Sequence, residues 1–250
     1  MKGFINLYKP AGISSAAAVS AVKKKFHTPC GHMGTLDPMA EGVLPVGIYK
    51  TSRLFQYLLD KDKRYVARFR FGFTTDTLDV TGSVTETIDG KRGYQLARKG
   101  VEFELQPKKV NISNVTLNGR TSADEYEFSV DCKGGTYIRS LARDIGAACG
   151  TVAAMSSLKR VKSGVFDLSN SVSLEEFARS DEPEKYIIPP DEAVSFEKLV
   201  LTEEQATKIL NGIFPDYGFK DGLYRVYNRE EFWGIGESKE GILKINAYVR

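Results

Sequence analysis

Gly31-His32-Met33-Gly34-Thr35-Leu36-Asp37-Pro38-Met39-Ala40-Glu41-Gly42-Val43-Leu44 lies near the start of a 250-residue chain and follows neither the helical nor the strand period. Glycines at 31, 34 and 42 and a proline at 38 interrupt regular structure, so residues 27–47 read as one long loop between regular elements. Loops this long inside compact domains are usually functional. An Asp before a Pro ordinarily starts a turn through its own side chain. Here the flanking glycines also let backbone approach a ligand closely, and His32 offers a ring for stacking. A lone carboxylate acting as nucleophile or base needs a cation to hold it ionised and aimed. Gly134-Gly135-Thr136-Tyr137-Ile138-Arg139 supplies one in Arg139, at the start of a predicted helix.

Working outward, residues 3–8 alternate as a short strand closed by the turn Lys9-Pro10-Ala11-Gly12. Ser14 or Ser15 can then cap a helix running to about Phe26, because a serine oxygen accepts from free first-turn amides. Tyr65, Ala67, Phe69 and Phe71 share one face of a strand whose other face carries Arg68 and Arg70. Further strands are expected at 110–117 and 126–132, and a helix between Gly135 and Ala148, with Ile138, Leu141, Ala142 and Ile145 on one side. Short helices are expected at 173–179 and 202–211. Gly-centred turns from Gly222 onward suggest a small β-barrel, with a boundary near residue 195.

Composition narrows the function. Residues 1–170 carry 25 Lys/Arg against 16 Asp/Glu, whereas residues 171–205 carry 3 against 10. A basic body beside a separate acidic stretch suits a polyanionic partner on one face. No run of 18 apolar residues and no apolar signal core is present, so a cytoplasmic protein without a membrane span is expected. Cys30, Cys132 and Cys149 form no C-x-x-C pair, and His27 and His32 are the two histidines, so neither a disulfide framework nor a metal site is expected. P-loop, G-x-S-x-G and H-E-x-x-H patterns are all missing.

The opening stretch resembles the G-H-x-G-x-L-D-P-x-A-x-G-V-L signature of the TruB family of pseudouridine synthases, which convert uridine 55 in the T loop of tRNA to pseudouridine. Four further blocks follow the family's order: Lys9-Pro10-Ala11-Gly12-Ile13-Ser14-Ser15; Asp62-Lys63-Arg64-Tyr65 with Thr75-Asp76-Thr77-Leu78-Asp79; Gly135 through Asp144; and Ser157-Leu158-Lys159-Arg160 with Ser163-Gly164. The resemblance implies an α+β catalytic domain over residues 1–195, built on a mixed, mainly antiparallel sheet flanked by helices. A small PUA-like β-barrel would occupy 196–250. It implies an isomerase that needs no cofactor, acts as a monomer and binds the tRNA T stem-loop. Asp37 would act at the ribose, Arg139 would keep it ionised, and Tyr65 would stack on the base and assist proton transfer. The target uridine would be flipped out of its stack, His32 would fill the vacated place, and Tyr137 and Leu158 would line the uracil pocket. Lys9, Lys159 and Arg160 would touch backbone phosphates.

The sequence departs from the family pattern in two places. Ala16-Ala17-Ala18 replaces polar residues after Ser15, which puts hydrogen bonds from that helix start in question. The block Gly90 to Gly100 matches, but the Q-x-P-P-x-Y-S-A-x-K stretch that precedes it in relatives, part of the element that grips the T loop, is missing near 88–89. Either the protein has lost it or the sequence omits it. The abrupt resumption of the block favours omission, which an intact mass near 27.7 kDa would exclude. Two rival readings are a guide-dependent synthase of the dyskerin type and a non-catalytic tRNA folding chaperone.

Overall fold

The computed structural model describes residues 2–58, 61–87 and 109–250; the family block at 90–100 and the departure at 88–89 lie outside them. The first strands are β1 (Gly3–Lys9), β2 (Cys30–His32), β3 (Glu41–Ile48), β4 (Lys63–Phe71), β5 (Phe73–Thr75) and β6 (Val84–Thr87). Then come β7 (Ile112–Arg120), β8 (Glu125–Cys132), β9 (Ala153–Ser163), β10 (Phe166–Asp167), β11 (Val172–Ser173) and β12 (Ile187–Ile188). The last are β13 (Glu197–Leu201), β14 (Asp216–Phe219), β15 (Gly222–Asn228), β16 (Glu231–Lys239) and β17 (Gly241–Tyr248). The helices are α1 (Ser15–Phe26), α2 (Ile138–Ala148), α3 (Leu174–Arg179) and α4 (Glu203–Leu210), with a 3-10 segment at Tyr49–Tyr57.

The large sheet runs β11-β1-β3-β9-β4-β8-β7, with β10 on β9, β12 on β1 and β2 on β3. Only β1 with β11 and β3 with β9 pair in parallel there, so the sheet is mixed and mainly antiparallel. The second sheet runs β13-β15-β16-β17-β14. The expected class is the observed one: an α+β body followed by a small β-domain.

Local chemistry explains the elements. In β4 the buried residues Tyr65, Ala67 and Phe69 alternate with exposed Arg64, Arg68 and Arg70, which reach across to Asp131, Glu127 and Asp124. Ser14 is the cap of α1, its side chain accepting from the Ala17 amide at 3.1 Å.

The long loop expected at 27–47 is a correction. It contains β2 and β3, and β3 is buried from Gly42 to Ile48. The glycines that read as loop punctuation are packing requirements. Gly42 has φ +108°, and any Cβ there would collide with the Arg160 carbonyl oxygen. Pro45 falls between the part of β3 that pairs with β9, at Glu41–Gly42, and the part that pairs with β2, at Val46–Ile48. A proline costs no ladder bond on that side.

Candidate active site

The irregular stretch that remains, residues 33–40, is held from four directions. The Ser15 hydroxyl donates to the Leu36 carbonyl at 2.8 Å and accepts from the Leu36 amide at 2.9 Å, so the alanines after Ser15 leave this contact intact. The Gly12 amide donates to the Pro38 carbonyl at 2.8 Å, and the Met33 amide to the Pro45 carbonyl at 2.9 Å. The Arg160 guanidinium donates to the carbonyls of Val43 (2.8 Å) and Gly34 (2.9 Å), tying the two ends of the segment together. The Lys9 ammonium reaches the carbonyls of Pro10, Ile13 and Pro38 at 2.9, 2.7 and 3.3 Å, binding the segment to the N-terminal turn.

These contacts hold Asp37 in a cleft of about 430 Å³ that Tyr65, Tyr137, Arg139, Leu158 and Arg160 also line. Asp37 and Arg139 face each other: Nε lies 3.3 Å from Oδ2, and Nη2 donates to Oδ1 at 3.5 Å. Arg139 sits in the first turn of α2, a helix whose start has no acidic residue and no side-chain cap. A cation there opposes the helix dipole, and nearby carboxylates supply the compensation. Besides Asp37, the guanidinium Nη1 meets the Thr77 carbonyl at 3.2 Å and Asp79 Oδ2 at 3.5 Å.

Asp79 closes the Thr75-Asp76-Thr77-Leu78-Asp79 block, where nothing in sequence marks it apart from its neighbours. Its side chain is buried, and its Oδ1 accepts from Thr77 Oγ1 (3.0 Å), the Thr81 amide (3.0 Å) and Thr81 Oγ1 (2.5 Å). Burial pushes its carboxyl up, but the Thr81 and Thr77 hydrogen bonds and the Arg139 charge outweigh that and leave it below the usual carboxylate range. A buried anion so held fixes one side of the guanidinium while the other side meets Asp37. The signal available in sequence was the acid-threonine spacing of Thr75-Asp76-Thr77-Leu78-Asp79.

Tyr65 and Leu158 lie on neighbouring strands β4 and β9, each 7% exposed. Burial pushes the Tyr65 phenol up, against the pull of the adjacent Arg160. Tyr137, at the start of α2, is 66% exposed and stands at the cleft mouth. His32 does not line the cleft. It stands on β2, and its buried Nδ1 has no hydrogen-bond partner among the described residues. Burial and then the Arg160 charge hold its imidazole below the usual histidine value.

The three basic residues differ in their settings. Lys9 and Arg160 are 0% and 1% exposed; Lys9 donates to carbonyls, and Arg160 to two carbonyls and the Tyr65 phenol, so both brace the Asp37 segment. Alternation along β9 leaves Lys159 outside, 3.7 Å from Glu41 and over the Tyr8 ring. Among the described residues no group of three His, Cys, Asp or Glu side chains could hold a metal, and no helix is long and apolar enough to cross a membrane.

Comparison with known proteins identifies the family. Residues 22–89 and 86–138 match the profile of the TruB family pseudouridylate synthase N-terminal domain. Residues 139–195 match that of the tRNA pseudouridylate synthase B C-terminal domain, and 198–245 that of the pseudouridine synthase II TruB C-terminal region. The tRNA pseudouridine synthase B of Clostridium kluyveri is 35% identical over 281 positions, covering 96% of each chain. That of Aquifex aeolicus is 35% identical over 97% of this chain and 98% of its own. The fold resembles a chain in the crystal structure of a Cbf5-Nop10-Gar1 complex, with TM-score 0.69 and 26% identity over 98% of this chain and 79% of that one. It equally resembles one in an H/ACA RNP bound to a substrate RNA containing 2'-deoxyuridine, with TM-score 0.69 and 25% identity over 94% and 78%. The N-terminal profile match breaks at 86–89, and the C. kluyveri alignment is longer than the chain itself, so that relative carries residues with no counterpart here.

Proposed function

This chain belongs to the TruB family of pseudouridylate synthases, and on that premise we propose that it isomerises uridine 55 in the T loop of tRNA to pseudouridine. The observation that carries the reading is the Asp37–Arg139 pair in a cleft floored by Tyr65 and Leu158.

The uridine, flipped out of its stack, enters the cleft with its ribose toward Asp37 and its base over Tyr65. Asp37 acts at the sugar, and the bond from C1′ to N1 breaks. The uracil turns within the cleft and C1′ bonds to C5. The proton on C5 is lost and N1 takes one up, so substrate and product have the same composition and no cofactor is consumed. Arg139, itself held by Asp79, keeps the Asp37 carboxylate aimed. Tyr65, a buried phenol beside Arg160, stacks on the base and assists the proton transfers. Tyr137 covers the uracil from the mouth, and His32 fills the place that the uridine leaves. Lys159 is the member of the basic set exposed enough to meet a phosphate.

In this reading residues 1–195 form the catalytic domain and 196–250 the PUA-like domain, and the protein works in the cytoplasm as a monomer. The test is incubation of purified protein with an unmodified tRNA transcript and no added cofactor, followed by mapping of pseudouridine. Modification at position 55 alone is expected. A transcript left unmodified, or modified only elsewhere, would overturn the assignment.

A further inference from the structure

The geometry points to Phe55 as a positioning residue for the strand that carries His32. Strand β2 is three residues long and, among the described residues, pairs with β3 alone. Gly31 of β2 stands directly opposite Gly47 of β3, one residue before the His32–Val46 pair. A Cβ at Gly47 would lie 2.9 Å from Phe55 Cε1, and one at Gly31 would lie 3.6 Å from Cε2. The ring therefore rests on a cross-strand glycine pair, within contact distance of Gly31 and leaving no room for a side chain at Gly47. Side chains alternate along a strand, so Phe55 packs on the face opposite His32 and acts on the β2 backbone.

The ring is itself fixed. It lies 6.3 Å from the Phe4 ring and packs against a core that includes Met33, Leu54 and Leu58. The 3-10 segment that carries it is tied to the end of the small sheet by Arg53, which donates to the Tyr248 carbonyl at 3.1 Å. Met33, next after His32, is fully buried in that core. His32 is thus presented by a backbone clamped from beneath, while its own ring makes no hydrogen bond through Nδ1. A residue that must occupy a base-sized gap gains from such preorganisation.

This inference rests on the reading of His32 under Proposed function, and the experiment separates the two. Hydrogen exchange is measured on wild type, Phe55→Ala, Phe55→Leu and a control in the same core, Phe166→Leu. Faster exchange confined to residues 30–33 in Phe55→Ala, with Phe55→Leu near wild type, is expected. Unchanged exchange there, or equal acceleration throughout the chain, would overturn the inference. Single-turnover pseudouridine formation is then compared for Phe55→Ala, His32→Ala and the double variant. Each single change should lower the rate on the order of ten- to a hundredfold, and the double variant should be no slower than the slower single one. Phe166→Leu should combine additively with His32→Ala. Additive losses for Phe55 and His32 would refute action through His32. Full activity of His32→Ala would refute the role of His32 instead, and exchange alone would then decide whether Phe55 holds the strand.

Discussion

Arg160 is a guanidinium committed to two carbonyls and to the Tyr65 phenol. Strand alternation puts it inside and Lys159 outside, a consequence of period two along Leu158-Lys159-Arg160 that basic character alone does not reveal. The difference is measurable. Arg160→Met should leave the Gly34 and Val43 carbonyls without their donor, cost about 1–3 kcal/mol, and lower turnover. The salt dependence of tRNA binding should stay as it was. Lys159→Met should instead flatten that dependence by about one phosphate contact. Equal salt slopes for the two variants, or a flatter one for Arg160→Met alone, would return Arg160 to the RNA. His32 gives a second test. Its native value is depressed by burial and Arg160, so the unfolded chain binds the proton more readily. The associated stability is complete above the ordinary value of about 6.5 and is lost as pH falls through the native value. Urea unfolding between pH 7.5 and 5 should show this loss in wild type and less of it in His32→Phe.

Secondary elements were legible where burial was one-sided. β4 announced itself by alternating aromatic and arginine residues, and α1 by its serine cap. β3 did not, because it is covered on both faces, carries a proline, and owes its two glycines to contacts with Arg160 and Phe55, which lie far away in the chain or on another element. The same long-range contacts build the Asp37 segment. Gly42→Ala should cost on the order of 2 kcal/mol or more, since φ +108° and the Arg160 carbonyl both oppose a side chain. Ser15→Ala removes both bonds to Leu36, and should lower turnover more than it weakens tRNA binding. The two effects separate in single-turnover rates and in equilibrium filter binding. A Ser15→Ala enzyme with weakened binding and wild-type turnover would mean that Leu36 is not what sets Asp37.

Over the whole molecule the two sheets share a core. Phe4, Met33, Val43 and Phe166 of the large body cluster with Tyr227, Phe232, Ile235 and Val249 of the small one. Asp191, before β13, accepts from the Tyr227 hydroxyl at 2.7 Å, and Arg225 donates to the Phe196 carbonyl at 2.8 Å. The chain should therefore unfold in one cooperative transition, with Phe232→Ala lowering its midpoint as a whole; two resolved calorimetric transitions would count against this. The charge asymmetry was legible in composition. The shared core was not, since nothing in a sequence says which apolar faces of two sheets meet. All of it converges on one carboxylate in one cleft. The direct test is Asp37→Asn, which keeps the shape and removes the charge. The variant should bind tRNA within severalfold of wild type and form no pseudouridine, whereas product at the wild-type rate would contradict the account.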